Sequence, residues 1–156
     1  RALAENQPIQ VRNPNATRPW QHVLEPLGGY LLLAEVLTET QESNNKPNPY
    51  CEAFNFGPLL KANLPVRQLI ETTLEHWPGT WEDLSNSSAV HEATLLHLQI
   101  DKAHHQLGWQ PRWPFTTTVQ RTVAWYQAVH KGGSPIDCCL GDLRAYESAL
   151  AENCAF

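Results

Sequence analysis

Hydrophobic residues recur at helical spacing in several segments of this chain, separated by shorter aromatic or alternating stretches. The helical pattern predicts a short turn at the start of the chain, followed by five helices. These segments are Arg1–Glu5, a helix that begins at Pro26 and carries Leu27, Tyr30, Leu31, Ala34 and Leu37, then Pro65–Trp77, Lys102–Leu107, Thr117–Lys131 and Gly141–Ala151.

Four short stretches are typical of strands, because aromatic or branched residues either cluster or alternate in them. They are Ile9–Arg12, Ala53–Gly57, Thr80–Glu82 and Thr94–Ile100. The pattern predicts an α/β chain of about five helices and three to five short strands. It contains no internal repeat and no domain-sized linker, so residues 1–156 are expected to form a single segment.

Composition narrows the class of protein. The chain has 156 residues, a formal net charge of −5, 42% hydrophobic residues and 17% charged residues. These values predict a soluble globular protein and argue against nucleic-acid or membrane partners. The four Cys residues are expected to be free thiols of a cytoplasmic protein. The sequence has no Met and begins at Arg1, from which we expect a processed product or a fragment.

Most catalytic and metal-binding motifs are absent from the sequence. It has no Gly-x-Gly-x-x-Gly turn for a dinucleotide, no phosphate-binding lysine loop and no Cys-x-x-Cys pair. In the run HEATLLH, His91 and His97 are six positions apart, whereas a helical zinc motif needs four. We therefore predict neither a metal site nor a catalytic residue in this chain.

Polar residues at breaks in the hydrophobic pattern are the candidate binding groups. The planar guanidinium of Arg18 suits a phosphate, although a surface ion pair is an equally simple role. Trp20 can stack on a ligand or fill core. Asn55, between two aromatic residues, can reach a ligand or cap a turn. From the chemistry of the residues alone, the structural roles of Arg18 and Asn55 are favoured.

Four blocks of sequence together resemble the C-terminal portion of the CDP-glucose 4,6-dehydratases, which are extended short-chain dehydrogenase/reductase enzymes acting on nucleotide sugars. The blocks are RNPNATRPWQHVLEPLGGYLLLAEVL, FNFGP, HEATLLHLQIDKAHHQLGWQPRW and TVQRTVAWYQA. The pattern at Asp101–Pro111 is shared by many nucleotide-sugar enzymes, whereas Arg18–Val23 and His91–Ala93 are typical of this narrower family. Sister enzymes have Asp where this chain has Pro19.

The resemblance implies a division of labour within a lyase. An N-terminal Rossmann half would bind NAD and supply the Tyr and Lys of hydride transfer, with the acid and base that eliminate water. This portion would bind CDP-glucose or a related nucleotide sugar. Arg18 would grip the diphosphate and Asn55 would donate to it. The remaining implied substrate contacts are His91 and Glu92, with Trp20 and His22 lining the same pocket.

The resemblance also implies limits. The glycine-rich loop and the Tyr-x-x-x-Lys pair are absent, so the chain alone is expected to bind no NAD and to have no dehydratase activity. Two hypotheses remain open. The chain is either the substrate-binding part of a longer dehydratase or a free-standing nucleotide-sugar-binding or protein-interaction module that has lost catalysis. Its partner is either a second copy in a homodimer or the N-terminal half.

Overall fold

A computed structural model describes residues 1–40, 48–86 and 95–152. Within these ranges the chain forms five α-helices and four short strands, so the predicted α/β class is confirmed. In chain order the elements are β1 (Ile9–Val11), β2 (Thr17–Pro19), α1 (Leu24–Glu39), β3 (Asn63–Pro65), α2 (Val66–His76), β4 (Trp81–Asp83), α3 (Asp101–Leu107), α4 (Phe115–His130) and α5 (Pro135–Glu152). Short 3-10 turns cover Leu3–Glu5 and Leu60–Ala62.

The strands form two separate two-stranded sheets. Strand β1 pairs in parallel with β4, with Ile9 opposite Trp81. Strand β2 pairs antiparallel with β3, placing Arg18 opposite Leu64 and Pro19 opposite Asn63. The second sheet leads into both α1 and α2, so it fixes where these two helices begin.

Two of the predicted strands are wrong. Ala53–Gly57 is irregular and belongs to no sheet, and the described part of the Thr94–Ile100 prediction, residues 95–100, is also irregular. An alternating or aromatic pattern indicates only which way side chains would point. A strand also needs a second strand to which its backbone is hydrogen-bonded. Neither segment has that neighbour in the part of the chain that the structure describes.

Helix α5 begins at Pro135, six residues before the predicted start at Gly141. Proline suits the first position of a helix, because the amide N–H it lacks has no intrahelical partner there. The hydroxyl of Ser134 accepts a hydrogen bond from the Asp137 N–H at 3.3 Å, which caps the first turn. Gly141 therefore lies inside the helix.

Helix α1 does not face the core with the stripe of residues that the sequence predicts. The predicted stripe is largely exposed, with Leu31 73% and Tyr30 57% accessible. The buried positions are Glu25 and Gly29, and Leu32 and Leu33 pack against the core beside them. The inward face is thus made of a carboxylate, a glycine and two leucines.

The main hydrophobic cluster lies between α1, the 53–57 segment and α3. Its buried members are Phe56, Ala103 and Trp109. The ring of Phe56 meets that of Trp109 edge to face, with their centroids 5.0 Å apart. Gly108, at φ +64°, ends α3 in the left-handed conformation and turns the chain so that Trp109 enters this cluster.

The carboxylate of Glu25, in the first turn of α1, is completely buried. It accepts hydrogen bonds from the backbone N–H groups of Arg112 (3.0 Å to each oxygen) and Trp113 (2.7 Å). The hydroxyl of Tyr146 on α5 donates to it at 2.8 Å. All these partners are donors, which is what an ionised carboxylate requires when it is removed from water. Burial and then this hydrogen bond raise the pKa of Tyr146 above its ordinary value.

A Gly29→Ala substitution should destabilise the fold by about 1–3 kcal/mol, the usual cost of overpacking. An added Cβ would lie 2.3 Å from Cδ1 of Phe56, so helix and ring must separate. Gly141→Ala is the matched control, because a Cβ there meets nothing within 4 Å and should stabilise α5 by about 0.5–1 kcal/mol. Urea unfolding of both variants tests this, and equal effects would contradict the close approach of α1 to Phe56.

Replacing Glu25 by Gln should lower the free energy of unfolding by about 2–3 kcal/mol, since one oxygen becomes a donor facing donors. Tyr146→Phe removes a single hydrogen bond and should cost about 1–2 kcal/mol. Glu39→Gln, at an exposed position of the same helix, should change stability by less than about 0.5 kcal/mol. Chemical denaturation at neutral pH measures all three variants, and a Glu25→Gln protein as stable as the Glu39→Gln protein would exclude this role.

Candidate functional site

The sheet of β2 and β3 carries the first group of predicted binding residues. Arg18 lies on β2 and is half-buried, and its guanidinium donates to the carbonyl of Thr17 at 2.8 Å. The indole N–H of Trp20 donates to the carbonyl of Leu64 at 2.8 Å, and its backbone N–H donates to that of Ala62 at 3.3 Å. Trp20 therefore anchors the chain to β3 just after the strand that carries Arg18.

Asn55 lies on the irregular 53–57 segment, next to the buried Phe56. Its side chain is exposed, and its amide nitrogen donates to the carbonyl of Gln99 at 3.3 Å. The amide of Gln21 donates to the carbonyl of Phe56 at 3.0 Å. These two amides hold the 53–57 segment between the chain that follows β2 and the irregular 95–100 segment, which brings Asn55 to the region of Arg18 and Trp20.

The amide of Asn63 provides a third link of this kind. In the orientation that satisfies both ends of the amide, its nitrogen donates to the carbonyls of Arg18 at 3.1 Å and of Leu96 at 2.8 Å. Asn63 was not a predicted site residue. Its sequence context offers only a polar residue before a helix that begins near Pro65, which is an ordinary loop signal.

Lys102 fixes the beginning of the same 53–57 segment. Its ammonium group forms an ion pair with Glu52 at 2.5 Å and donates to the carbonyl of Ala53 at 3.0 Å. It also lies 4.4 Å from the ring centroid of Phe54, a cation–π contact. The hydrogen bond and charge of Lys102 lower the pKa of Glu52, although the side chain of Glu52 is largely accessible and that of Lys102 is half-buried.

His22 makes its contacts with a different set of residues, among them Trp113 and Asp142. It is buried beneath Trp113, with ring centroids 4.8 Å apart in an edge-to-face contact. Its Nδ1 accepts from the N–H of Leu24 at 3.3 Å, which leaves the proton of a neutral imidazole on Nε2. That nitrogen is 3.9 Å from a carboxylate oxygen of Asp142, while the other oxygen of Asp142 binds Arg121 at 3.0 Å.

A mainly apolar cavity of about 620 Å³ lies beside His22, between the start of α1, α4 and α5. Its lining includes Gln21, His22, Val23, Leu24, Leu27, Thr122, Trp125, Tyr126, Cys139, Asp142 and Leu143. Neither Arg18 nor Asn55 contributes to it. The structure thus separates the predicted residues into a group around Arg18 and Asn55 and a second position at His22.

Two further sequence predictions have no structural outcome. His91 and Glu92 lie outside the described residues, so their contribution to the site stays a prediction.

In residues 1–40, 48–86 and 95–152 no cluster of three or more His, Cys, Asp or Glu side chains is arranged to hold a metal ion. None of the helices in these ranges combines the length and apolar character needed to span a bilayer.

The pH dependence of stability should reveal the buried imidazole. Burial lowers the pKa of His22, and nearby Arg121 lowers it too, outweighing the opposite effect of Asp142. The unfolded chain takes up a proton near pH 6.5 that folded His22 resists. The free energy of unfolding should therefore fall as the pH drops below about 6.5.

Urea unfolding between pH 8 and pH 5 tests this for the natural chain, His22→Asn and the exposed control His97→Asn. An asparagine oxygen can still accept from Leu24, so His22→Asn should fold and show a shallower loss at low pH. Parallel pH profiles for the natural chain and His22→Asn would contradict the assignment.

Comparison with known proteins shows what this chain is similar to. No family model matches the chain. The CDP-glucose 4,6-dehydratase of Salmonella typhimurium is 37% identical over 152 residues, which is 96% of this chain. The chain spans 40% of the length of that enzyme. The predicted resemblance is confirmed: along nearly its whole length, this chain is similar to a C-terminal portion of CDP-glucose 4,6-dehydratase.

Proposed function

We propose that this chain is the substrate-binding part of an enzyme like CDP-glucose 4,6-dehydratase, a lyase, and that Arg18 and Asn55 contact the diphosphate of a nucleotide sugar. The observation that carries the proposal is the similarity of 152 residues to an enzyme named for CDP-glucose. The geometry around Arg18 and Asn55 supports it, because their two segments are tied together by the side-chain amides of Gln21 and Asn63.

The chemistry of Arg18 suits a diphosphate. A guanidinium has five N–H donors in a planar fork and pairs with phosphate oxygens through two parallel hydrogen bonds. The side chain of Arg18 is half-buried, and the residue lies on a strand that is paired with β3. The backbone of Arg18 is therefore held in place before a ligand binds. Preorganisation of this kind reduces the ordering cost of binding.

Asn55 can add a neutral donor beside that charge. One hydrogen bond of its amide goes to Gln99, and an amide nitrogen carries two N–H groups. The other N–H is able to reach a phosphate oxygen from the exposed side of the segment. His91 and Glu92, implied by the same resemblance, would contribute further contacts.

The residues of this chain do not fit NAD. The parallel pair of β1 and β4 is the arrangement that a dinucleotide fold would use, yet no Gly-x-Gly-x-x-Gly turn occurs anywhere in the sequence. We therefore place NAD binding and the Tyr and Lys of hydride transfer outside these 156 residues, and derive no redox step from this chain.

Arg18→Ala should weaken binding of CDP-glucose by about 10–100-fold, which corresponds to the loss of one or two charge-assisted hydrogen bonds. Arg18→Lys should recover part of this affinity, because it keeps the charge but loses the fork. Isothermal titration calorimetry of the purified chain measures both variants.

The control is Arg144→Ala, which removes the same charge from an exposed position on α5. Its affinity should equal that of the natural chain. Equal losses in the two alanine variants would mean that only net charge matters, and an unaffected Arg18→Ala protein would remove Arg18 from the site.

A further inference from the structure

Asn63 lies where a backbone hydrogen-bond ladder is interrupted. It is opposite Pro19 in the pairing of β2 with β3. A proline has no N–H, so this position of β2 cannot donate to β3. The neighbouring bond from Trp20 N–H to the Ala62 carbonyl is long, at 3.3 Å. The end of β2 that follows Arg18 is thus weakly fixed by its backbone alone.

The side chain of Asn63 adds to this connection, beside the indole hydrogen bond of Trp20 to Leu64. Its amide nitrogen reaches the carbonyls of Arg18 on β2 and Leu96 on the irregular 95–100 segment, at 3.1 and 2.8 Å. The residue is half-buried, so water competes less for these carbonyls than it would at an open surface. One side chain therefore joins the strand of Arg18 to a segment that has no sheet partner among the described residues.

The same segment holds Asn55. Its Gln99 carbonyl, three residues after Leu96, accepts the hydrogen bond of the Asn55 amide. The path from Arg18 to Asn55 therefore runs through Asn63, Leu96 and Gln99. A substitution at Asn63 therefore alters the spacing of Arg18 and Asn55, although neither of these two residues is replaced.

We propose that Asn63 is a positioning residue of the nucleotide-sugar site, which sets the separation of Arg18 and Asn55 by donating to the carbonyls of Arg18 and Leu96. This inference rests on the proposed function. It assigns Asn63 no contact with the ligand. Its effect on affinity must therefore pass through the group that it positions, Arg18.

A double-mutant cycle with CDP as the probe tests this. In the natural background Asn63→Ala should weaken CDP binding about fivefold, within the usual range of coupling between neighbouring residues. In the Arg18→Ala background the same substitution should change affinity by less than about twofold, because the positioned group is gone. Asn63→Asp, which keeps the shape but removes the donor, should behave like Asn63→Ala.

The matched control is Asn48→Ala. The Asn48 amide also bridges two carbonyls, those of Leu37 (3.4 Å) and Thr40 (3.0 Å), at the far end of α1. It should lower the melting temperature without changing CDP affinity. Purely additive losses in the cycle, full affinity in both Asn63 variants, or failure of both to fold would each overturn the positioning role. No CDP binding by the natural chain would instead contradict the proposed function on which the inference rests.

Discussion

The buried carboxylate of Glu25 is the interaction on which the rest of the described structure depends. A charge removed from water is tolerated only when its oxygens are fully hydrogen-bonded, and the donors come from two distant parts of the chain, the backbone at residues 112–113 and Tyr146 of α5. Glu25 also lies at the N-terminal end of α1, where the helix dipole favours a negative charge. One side chain thus fixes α1 against α5 and against the chain between α3 and α4.

Small residues make this arrangement possible. Gly28 and Gly29 follow Glu25 on α1, and the rings of Tyr146 and Phe56 approach so closely that side chains there would collide or crowd. Sequence patterning predicted the helix, but the stripe it selected, which includes Tyr30 and Leu31, is not the face that lies against the core. Periodicity reflects hydrophobicity alone. It does not show that a carboxylate faces inward when its hydrogen-bond donors are about ninety or more residues away along the chain. Nor does it show that a nearby ring leaves room only for glycine.

The same distinction explains what the sequence revealed of the candidate site. Arg18, Trp20 and Asn55 could be named as candidates because polar groups stand out at breaks in a hydrophobic pattern, and the resemblance of whole blocks implies a shared role for them. The separation of His22 from them was not predictable. It depends on Trp113, in the connection between α3 and α4, and on Asp142 of α5, which reach His22 only in the folded chain. Likewise, segments 53–57 and 95–100 are irregular because no strand in the described part of the chain pairs with them. The residues of the segments themselves do not reveal this.

Where a ladder is lacking, individual side chains carry the geometry. Gln21, Asn55 and Asn63 each donate one or two hydrogen bonds to backbone carbonyls of neighbouring segments, and each such bond contributes about 1 kcal/mol net. In a sheet, the same stabilisation is shared among many backbone hydrogen bonds, which no substitution except proline removes. Amide links can instead be changed one at a time. The region around Arg18 and Asn55 should therefore be adjustable through single polar substitutions, whereas a change at Glu25 acts on α1, α5 and the whole fold together.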